Sequence, residues 1–315
     1  MRALHDVSLT AGRRQTLAIV GESGCGKSTL AKVLSGIEVA TAGGVTLEGV
    51  EVGHLSVDAR SRALRRRLQM VFQNPDSTLN PSHTVGYAIG RALRRLRDGA
   101  PGDVDAGVAR LLDVVKLPAT MATRRPHHLS GGEKQRVAIA RALAGDPDVI
   151  VADEPVSALD VSVQAAVINL LIEIQATHGA TLVFISHDLG VVRYLADHVA
   201  VMYLGTVAEV GRVERVFAPP YHPYTEALLS AVPVPDPDHA VARIILEGPV
   251  PRADEAPRGC PFATRCPRRL GAICDDTPPP VQQLGPDHRL ACHIPAVELH
   301  RLQTPLAGAA PTRRS

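Results

Sequence analysis

The chain has 315 residues, 45% of them hydrophobic, and a formal net charge of +2, so it holds about two domains with sizeable cores and lacks the basic footprint of a nucleic-acid binder. Aromatic content of 3% without Trp leaves no stacking platform for single strands, and no nucleic-acid partner is expected. No apolar run approaches the ~20 residues that span a bilayer, and Met1 to Asp6 lack the apolar core of a signal peptide, so the expectation is a soluble or peripheral chain that needs a partner for any membrane role.

In chain order, Leu17-Ala18-Ile19-Val20 reads as a buried strand, and the run Ser28 to Ser35 as a helix that Gly36 terminates. Between them lies Gly21-Glu22-Ser23-Gly24-Cys25-Gly26-Lys27-Ser28-Thr29, the pattern G-x-x-x-x-G-K-[ST] in its required strand-loop-helix setting. The glycines let the backbone curl until its N–H groups face a phosphate chain, and the helix start adds partial positive charge. Lys27 then bridges the outer phosphates and the Ser28 hydroxyl ligates Mg²⁺. Cys25 reads as a small side chain within the loop.

Val45 to Gly49 reads as a strand and turn, and Leu68 to Gln73 as a further strand. The Arg-rich stretch Arg60 to Arg67 reads as a solvated helical face rather than a phosphate contact. Residues 84–145 carry helical spacing, notably Ala88 to Leu96 and Val108 to Val115, and read as a helical insertion in an α/β core. Leu129-Ser130-Gly131-Gly132-Glu133 opens another helix: Ser130 and Glu133 fit a capping box, and the same N–H groups make an anion site. Strands return at Val149 to Ala152 and Thr181 to Ile185, with a helix over Val163 to Ala176 between them, which implies a parallel crossover. Asp153-Glu154 sits at the C-terminal end of a buried strand, where open α/β sheets bind ligands; Asp153 would approach Mg²⁺ and Glu154 an attacking water. Val199 to Tyr203 and Thr206 to Val210 form a hairpin around Gly205. Proline density rises from Ala218, which reads as a separate, loop-rich appendix.

A P-loop alone leaves kinases and GTPases open. The further motifs make the chain resemble an ATP-binding-cassette (ABC) ATPase: Gly21 to Thr29 is similar to its Walker A, Gln73 to its Q-loop glutamine, Leu129 to Glu133 to its signature, Val149 to Glu154 to its Walker B, Ser157-Ala158-Leu159-Asp160 to its D-loop, and His187 to its switch histidine. The resemblance implies an α/β P-loop NTPase core, a mixed sheet with a RecA-like centre, carrying an inserted helical signature subdomain. It implies a head-to-tail dimer in which Ser130 and Gly132 reach the partner's γ-phosphate, Gly131 lies between them, and Asp160 sits at the dimer interface. Glu154 would polarise the hydrolytic water, His187 would bind the γ-phosphate, and Gln73 would join Ser28 and Asp153 at Mg²⁺ and link that site to the helical subdomain.

Phe72-Gln73-Asn74-Pro75-Asp76-Ser77-Thr78-Leu79-Asn80-Pro81 resembles the Q-loop region of oligopeptide and dipeptide importers, and Tyr221-His222-Pro223-Tyr224 resembles the His-Pro-Tyr element of their C-terminal extension. That likeness implies an ATPase that energises uptake of short peptides, or in relatives nickel complexes or other small solutes. Its partners would be two membrane permease subunits, a second and related ATPase chain, and indirectly an extracytoplasmic binding protein, at the cytoplasmic face of the membrane. A soluble ABC protein acting on DNA or ribosomes is the competing reading; its long coiled-coil insertion, tandem cassettes or basic arms are not found in this sequence. The expected division is an ATPase domain over 1–217 with the helical subdomain near 84–145, a small loop-rich extension over 218–298, and a disordered tail over 299–315.

Four cysteines, Cys260-x5-Cys266-x7-Cys274-x17-Cys292, cluster in the extension and suggest a local metal or cluster site more than a disulfide scaffold. The resemblance implies a [4Fe–4S] cluster there; zinc and free thiols stay open, with His293 as a further ligand. One departure from the family is the lack of Phe, Tyr or Trp in residues 1–20, where an adenine-stacking aromatic is usual. The expectation is a start codon lying further upstream, or half of a split two-cassette gene; His5 is a poor substitute, and a lost stack would cost ~1–3 kcal/mol.

Overall fold

A computed structural model describes residues 3–96, 104–233, 243–251 and 258–306. Strand β1 (Thr16–Val20) is buried along its length, as a parallel strand covered on both faces must be. Helix α1 (Lys27–Ser35) stops at Gly36, whose φ of +77° suits a residue without a Cβ. Strands β2 (Thr46–Leu47) and β3 (Val50–Glu51) form a hairpin whose turn residues Glu48 and Gly49 both have positive φ. Then follow α2 (Arg62–Arg67), β4 (Leu68–Val71), and the helices α3 (Val85–Leu96), α4 (Val104–Val114) and α5 (Gly131–Leu143). Strand β5 (Val149–Asp153) leads to α6 (Val161–His178), which Asp160 caps at its N-terminus and Gly179 closes in the left-handed region. After β6 (Thr181–Ile185) come α7 (Leu189–Leu195), β7 (His198–Tyr203), β8 (Thr206–Arg212), α8 (Val213–Val216), α9 (Pro223–Ser230), α10 (Ala272–Asp276), β9 (Val281–Gly285), β10 (His288–Ala291) and α11 (Ala296–Leu302).

Contacts divide the chain into two compact units. Residues 11–16 and 28–185 make one; residues 1–10, 17–27 and 186–315 make the other. In the first, β4, β5 and β6 run parallel in that order, with Val71 beside Ala152 and Ala152 beside Phe184. Helices α3 and α4 approach closely because each offers a glycine. A Cβ on Gly90 would lie 3.0 Å from Val104, and one on Gly107 would lie 3.0 Å from Leu93.

The Arg60–Arg67 stretch corrects the expectation of a solvated face. Arg60 is buried and its guanidinium donates to the carbonyls of Leu34 (2.9 Å) and Val52 (3.2 Å). Arg66 donates to the Gly145 carbonyl at 2.8 Å, and Arg67 pairs with Asp148 and Glu48. The carbonyls of Leu34, Val52 and Gly145 and the carboxylates of Glu48 and Asp148 satisfy these cations, which a local charge pattern does not reveal.

In the second unit β1 runs parallel to β7, β7 antiparallel to β8, and β8 antiparallel to β10, which pairs with β9. The segment beyond 218 therefore continues a sheet instead of standing as loops alone. Leu284, Leu290, Cys292, Ile294 and Leu299 give it a small apolar core. The tail expected from 299 does not begin there. Leu299 is fully buried, and Gln303 is buried with its side chain paired to Tyr221 and Glu226. Residues 307–315 lie outside the described residues.

Candidate functional site

The phosphate loop takes the shape its glycines allow. Gly21, Gly24 and Gly26 have φ of +152°, +83° and +102°. Ser23 and Gly24 are exposed at the loop's outer turn. Lys27 is buried inside it, donating from Nζ to the carbonyls of Gly21 (2.7 Å) and Glu22 (2.9 Å). Cys25 is buried within the loop, and burial pushes its thiol pKa up although the Lys27 ammonium opposes the shift.

The next residue in the chain, Ser28, donates from Oγ to Asp153 Oδ1 at 3.2 Å, and Thr29 follows it on α1. A hydroxyl and a carboxylate oxygen thus stand side by side, the oxygen pair that a Mg²⁺ bound mainly to phosphates and water uses. Asp153 is buried as the last residue of β5. Glu154 follows with φ of +42°, its N–H donating to the Ile185 carbonyl at 3.0 Å. This left-handed turn sets the two neighbouring acids in different directions. Gln73 donates from Nε2 to Glu154 Oε2 at 3.1 Å and to Ser157 Oγ at 3.4 Å. The Ser157 contact was not expected; its place in the D-loop pattern gave no sign of the Q-loop side chain.

Ser130 caps α5 in a full capping box. Its Oγ accepts from the Glu133 N–H at 3.3 Å, and its own N–H donates to Glu133 Oε2 at 2.8 Å. Ser130 and Gly131 are exposed, whereas Gly132 is buried; a Cβ there would stand 2.3 Å from Val163 on α6. Glycine lets the signature turn pack against the start of α6, which the D-loop Asp160 caps. The Asp160 carboxylate accepts from the Ser162 hydroxyl (2.7 Å) and the Val163 N–H (3.0 Å), and these bonds hold its pKa below the usual carboxylate range. His187 is exposed after β6, whose following residue, Ser186, donates its N–H to the Ile19 carbonyl at 3.1 Å.

Cys260, Cys274 and Cys292 are buried and Cys266 is half-buried. The backbone N–H of Leu270 lies 3.4 Å from the Cys274 sulfur. Burial, with smaller contributions from neighbouring thiols, pushes Cys266 up to about 12 and Cys292 up to about 11. Among the described residues, no group of three or more His, Cys, Asp or Glu side chains is arranged to hold a metal ion.

A probable peptide ABC transporter ATP-binding protein of Sinorhizobium fredii is 46% identical over 313 residues, 98% of this chain and 88% of its own length. The chain belongs to the ABC transporter ATP-binding family. The ABC transporter family profile matches residues 4–157 of this cassette, and that of the oligopeptide/dipeptide transporter C-terminal region matches 208–274. A putative peptide import ATP-binding protein of Brucella ovis is 44% identical over 93% of the cassette and 92% of its own length. Among solved structures, the dimeric ATP-binding cassette MJ0796 bound to ADP and Pi is 30% identical with a TM-score of 0.61, over 67% of this chain and 90% of that one. Cassette cbiO1 of Clostridium perfringens is 29% identical with the same TM-score, over 68% of this chain and 84% of that one. The cassette is an ATPase with an α/β P-loop core. No helix among its described residues is long and apolar enough to cross a membrane.

Proposed function

We propose that this cassette energises the import of di- and oligopeptides. It works at the cytoplasmic face of the membrane on two permease subunits, paired with a second, related cassette, while an extracytoplasmic protein delivers the peptide. The match of residues 208–274 to the oligopeptide/dipeptide transporter C-terminal region carries the peptide reading, and the peptide-import names of the chain-long relatives support it. Residues 1–217 serve as the ATPase domain, 84–145 as its helical subdomain, and 218–298 as the extension.

In this reading Lys27 and the loop N–H groups hold the β- and γ-phosphates of ATP, and Ser28 and Asp153 hold Mg²⁺. The metal neutralises charge on the phosphates when bound. Glu154 orients the water that attacks the γ-phosphorus and takes its proton as the bond to ADP breaks. Gln73 steadies the Glu154 carboxylate through the 3.1 Å hydrogen bond. His187 donates to a γ-phosphate oxygen. Ser130 and the Gly131 and Gly132 N–H groups, at the start of the 13-residue α5, meet the γ-phosphate bound by the partner subunit. Asp160, prealigned by its cap bonds, lies at that interface.

A groove of about 670 Å³ in the unit formed by residues 28–185 suits the permease. Ile37, Val57 and Phe72 give it apolar walls, and Arg60, Arg65, Arg95 and Arg141 against the single carboxylate of Asp58 give it net positive charge. Ile37 and Val57 stay exposed there. A short cytoplasmic helix with an acidic residue is the matching occupant. Its contact beside Phe72 passes directly to Gln73, and so to Glu154.

The extension's four thiols are the residues that would hold a [4Fe–4S] cluster, although among the described residues they form no group arranged to hold a metal ion and burial keeps Cys266 and Cys292 protonated. Cys260, Cys266, Cys274 and Cys292 would be the ligands, and the cluster would cross-link a proline-rich segment with little core of its own. Protein purified without oxygen is expected to be brown, with broad visible absorption and about four irons per chain. A colourless preparation free of iron and sulfide would remove the cluster. The import reading itself is tested by rebuilding the transporter in vesicles and following uptake of a labelled dipeptide.

A further inference from the structure

We infer that the C-terminal extension sets the ATP affinity of the phosphate loop, because Arg265 and Tyr224 hold and neutralise the loop residue Glu22. Glu22 occupies the second position of the loop, where the motif accepts any residue. Here each of its polar groups is engaged. Its N–H donates to Tyr224 Oη at 2.8 Å, and its carbonyl accepts from Lys27 Nζ. Its carboxylate takes a two-pronged grip from Arg265, with Nη1 to Oε2 at 2.5 Å and Nη2 to Oε1 at 3.2 Å. The two extension residues lie 202 and 243 positions away along the chain.

Both holders are themselves fixed. Tyr224 is fully buried, and its ring meets Tyr203 edge-on at 4.8 Å and Phe262 at 5.2 Å. Burial keeps its hydroxyl un-ionised. Its N–H donates to His222 Nδ1 at 3.1 Å; burial lowers the His222 pKa to about 4, which leaves that nitrogen free to accept. His222 in turn donates its N–H to Glu209 on β8 at 2.8 Å. The His-Pro-Tyr element therefore presents one hydroxyl to the phosphate loop. Arg265 closes the single turn Ala263–Arg265 between Cys260 and Cys266, and its side chain is 8% exposed against 27% for Glu22.

The charge argument gives the arrangement a consequence for ATP. A carboxylate in a loop that wraps a polyanion opposes binding unless a cation cancels it. Arg265 supplies that cation with a planar fork that also fixes the carboxylate's direction. Losing the arginine leaves Glu22 charged and unpaired beside the phosphates; losing both groups together does not. Arg265 and Tyr224 are positioning residues, and the predicted defect falls on binding more than on turnover.

The test uses the full-length chain, with a fluorescent ATP analogue for Kd and the assembled transporter for KM and kcat. Arg265→Met is expected to weaken ATP binding about ten-fold, the order of the repulsion between a partly exposed carboxylate and a nearby anion at the effective dielectric of a protein surface, with kcat at saturating ATP changed less than three-fold. Glu22→Gln is expected to stay within three-fold of the parent. The double variant Glu22→Gln/Arg265→Met is expected to recover most of the lost affinity, and Arg265→Lys to fall between. Should Arg265→Met fail to fold, the double variant and Tyr224→Phe, expected to bind a few-fold more weakly, carry the test. Arg265→Met binding within two-fold of the parent, or a double variant as weak as Arg265→Met, would overturn the inference. Lys27→Ala serves as the control: if it alone abolishes binding, the loop's role stands whatever the fate of Arg265.

Discussion

Glu154→Gln is expected to lower ATP turnover at least a hundred-fold while leaving ATP affinity within about three-fold. The amide keeps the shape of the side chain and still accepts a hydrogen bond from Gln73 on one atom. What it loses is the negative charge that aligns water and takes its proton. The φ of +42° at this residue belongs to the backbone turn after β5, and Gln is no worse than Glu in that conformation, so the fold should survive. Phosphate release and nucleotide binding, measured on the same preparation, separate the two effects. A variant that hydrolyses ATP at the parental rate would reassign the base.

Gly21→Ala is expected to abolish ATP binding, with a loss of more than a hundred-fold, and to lower the unfolding temperature. A Cβ at Gly21 would lie 2.2 Å from the Met202 carbonyl oxygen and 2.8 Å from the Cys25 sulfur, with φ at +152°. The nearest clash is with backbone of β7, which is held in the sheet, so the loop must give way instead. Gly24→Ala is the matched comparison. Its φ is +83°, yet nothing lies within 4 Å of the added carbon, so only about 1–2 kcal/mol of backbone strain is expected. Thermal unfolding without nucleotide ranks the two. Equal stability of Gly21→Ala and the parent would contradict the packing argument.

The parts of the molecule that could be read from sequence are those whose chemistry is local. Glycine spacing, an acid pair closing the apolar run Val149–Ala152, and Ser130 three residues before Glu133 each constrain their own few residues, and the loop, β5 and the α5 capping box follow. The parts that could not be read depend on distant partners. Arg60 looks like one cation in a basic helix until the Leu34 and Val52 carbonyls enclose it. Val281–Gly285 has little strand signal among its prolines, and it becomes a strand by pairing with β10, which the distant β8 holds in the sheet. Glu22 fills a variable position of its motif, and only a contact across more than two hundred residues gives it a partner. The start expected for the tail fails for the same reason: Gln303 is held by Tyr221, 82 positions away, which composition does not encode.

ATP-driven uptake of a labelled dipeptide into vesicles tests the account most directly. The vesicles would hold this cassette, its companion cassette and the two permeases, with the binding protein supplied outside and ATP enclosed. The account predicts accumulation that requires ATP and that disappears when Lys27→Ala replaces the parent chain. Uptake that is unchanged by that substitution, or ATP hydrolysis by the complete assembly no faster than that of the Lys27→Ala assembly, would contradict it.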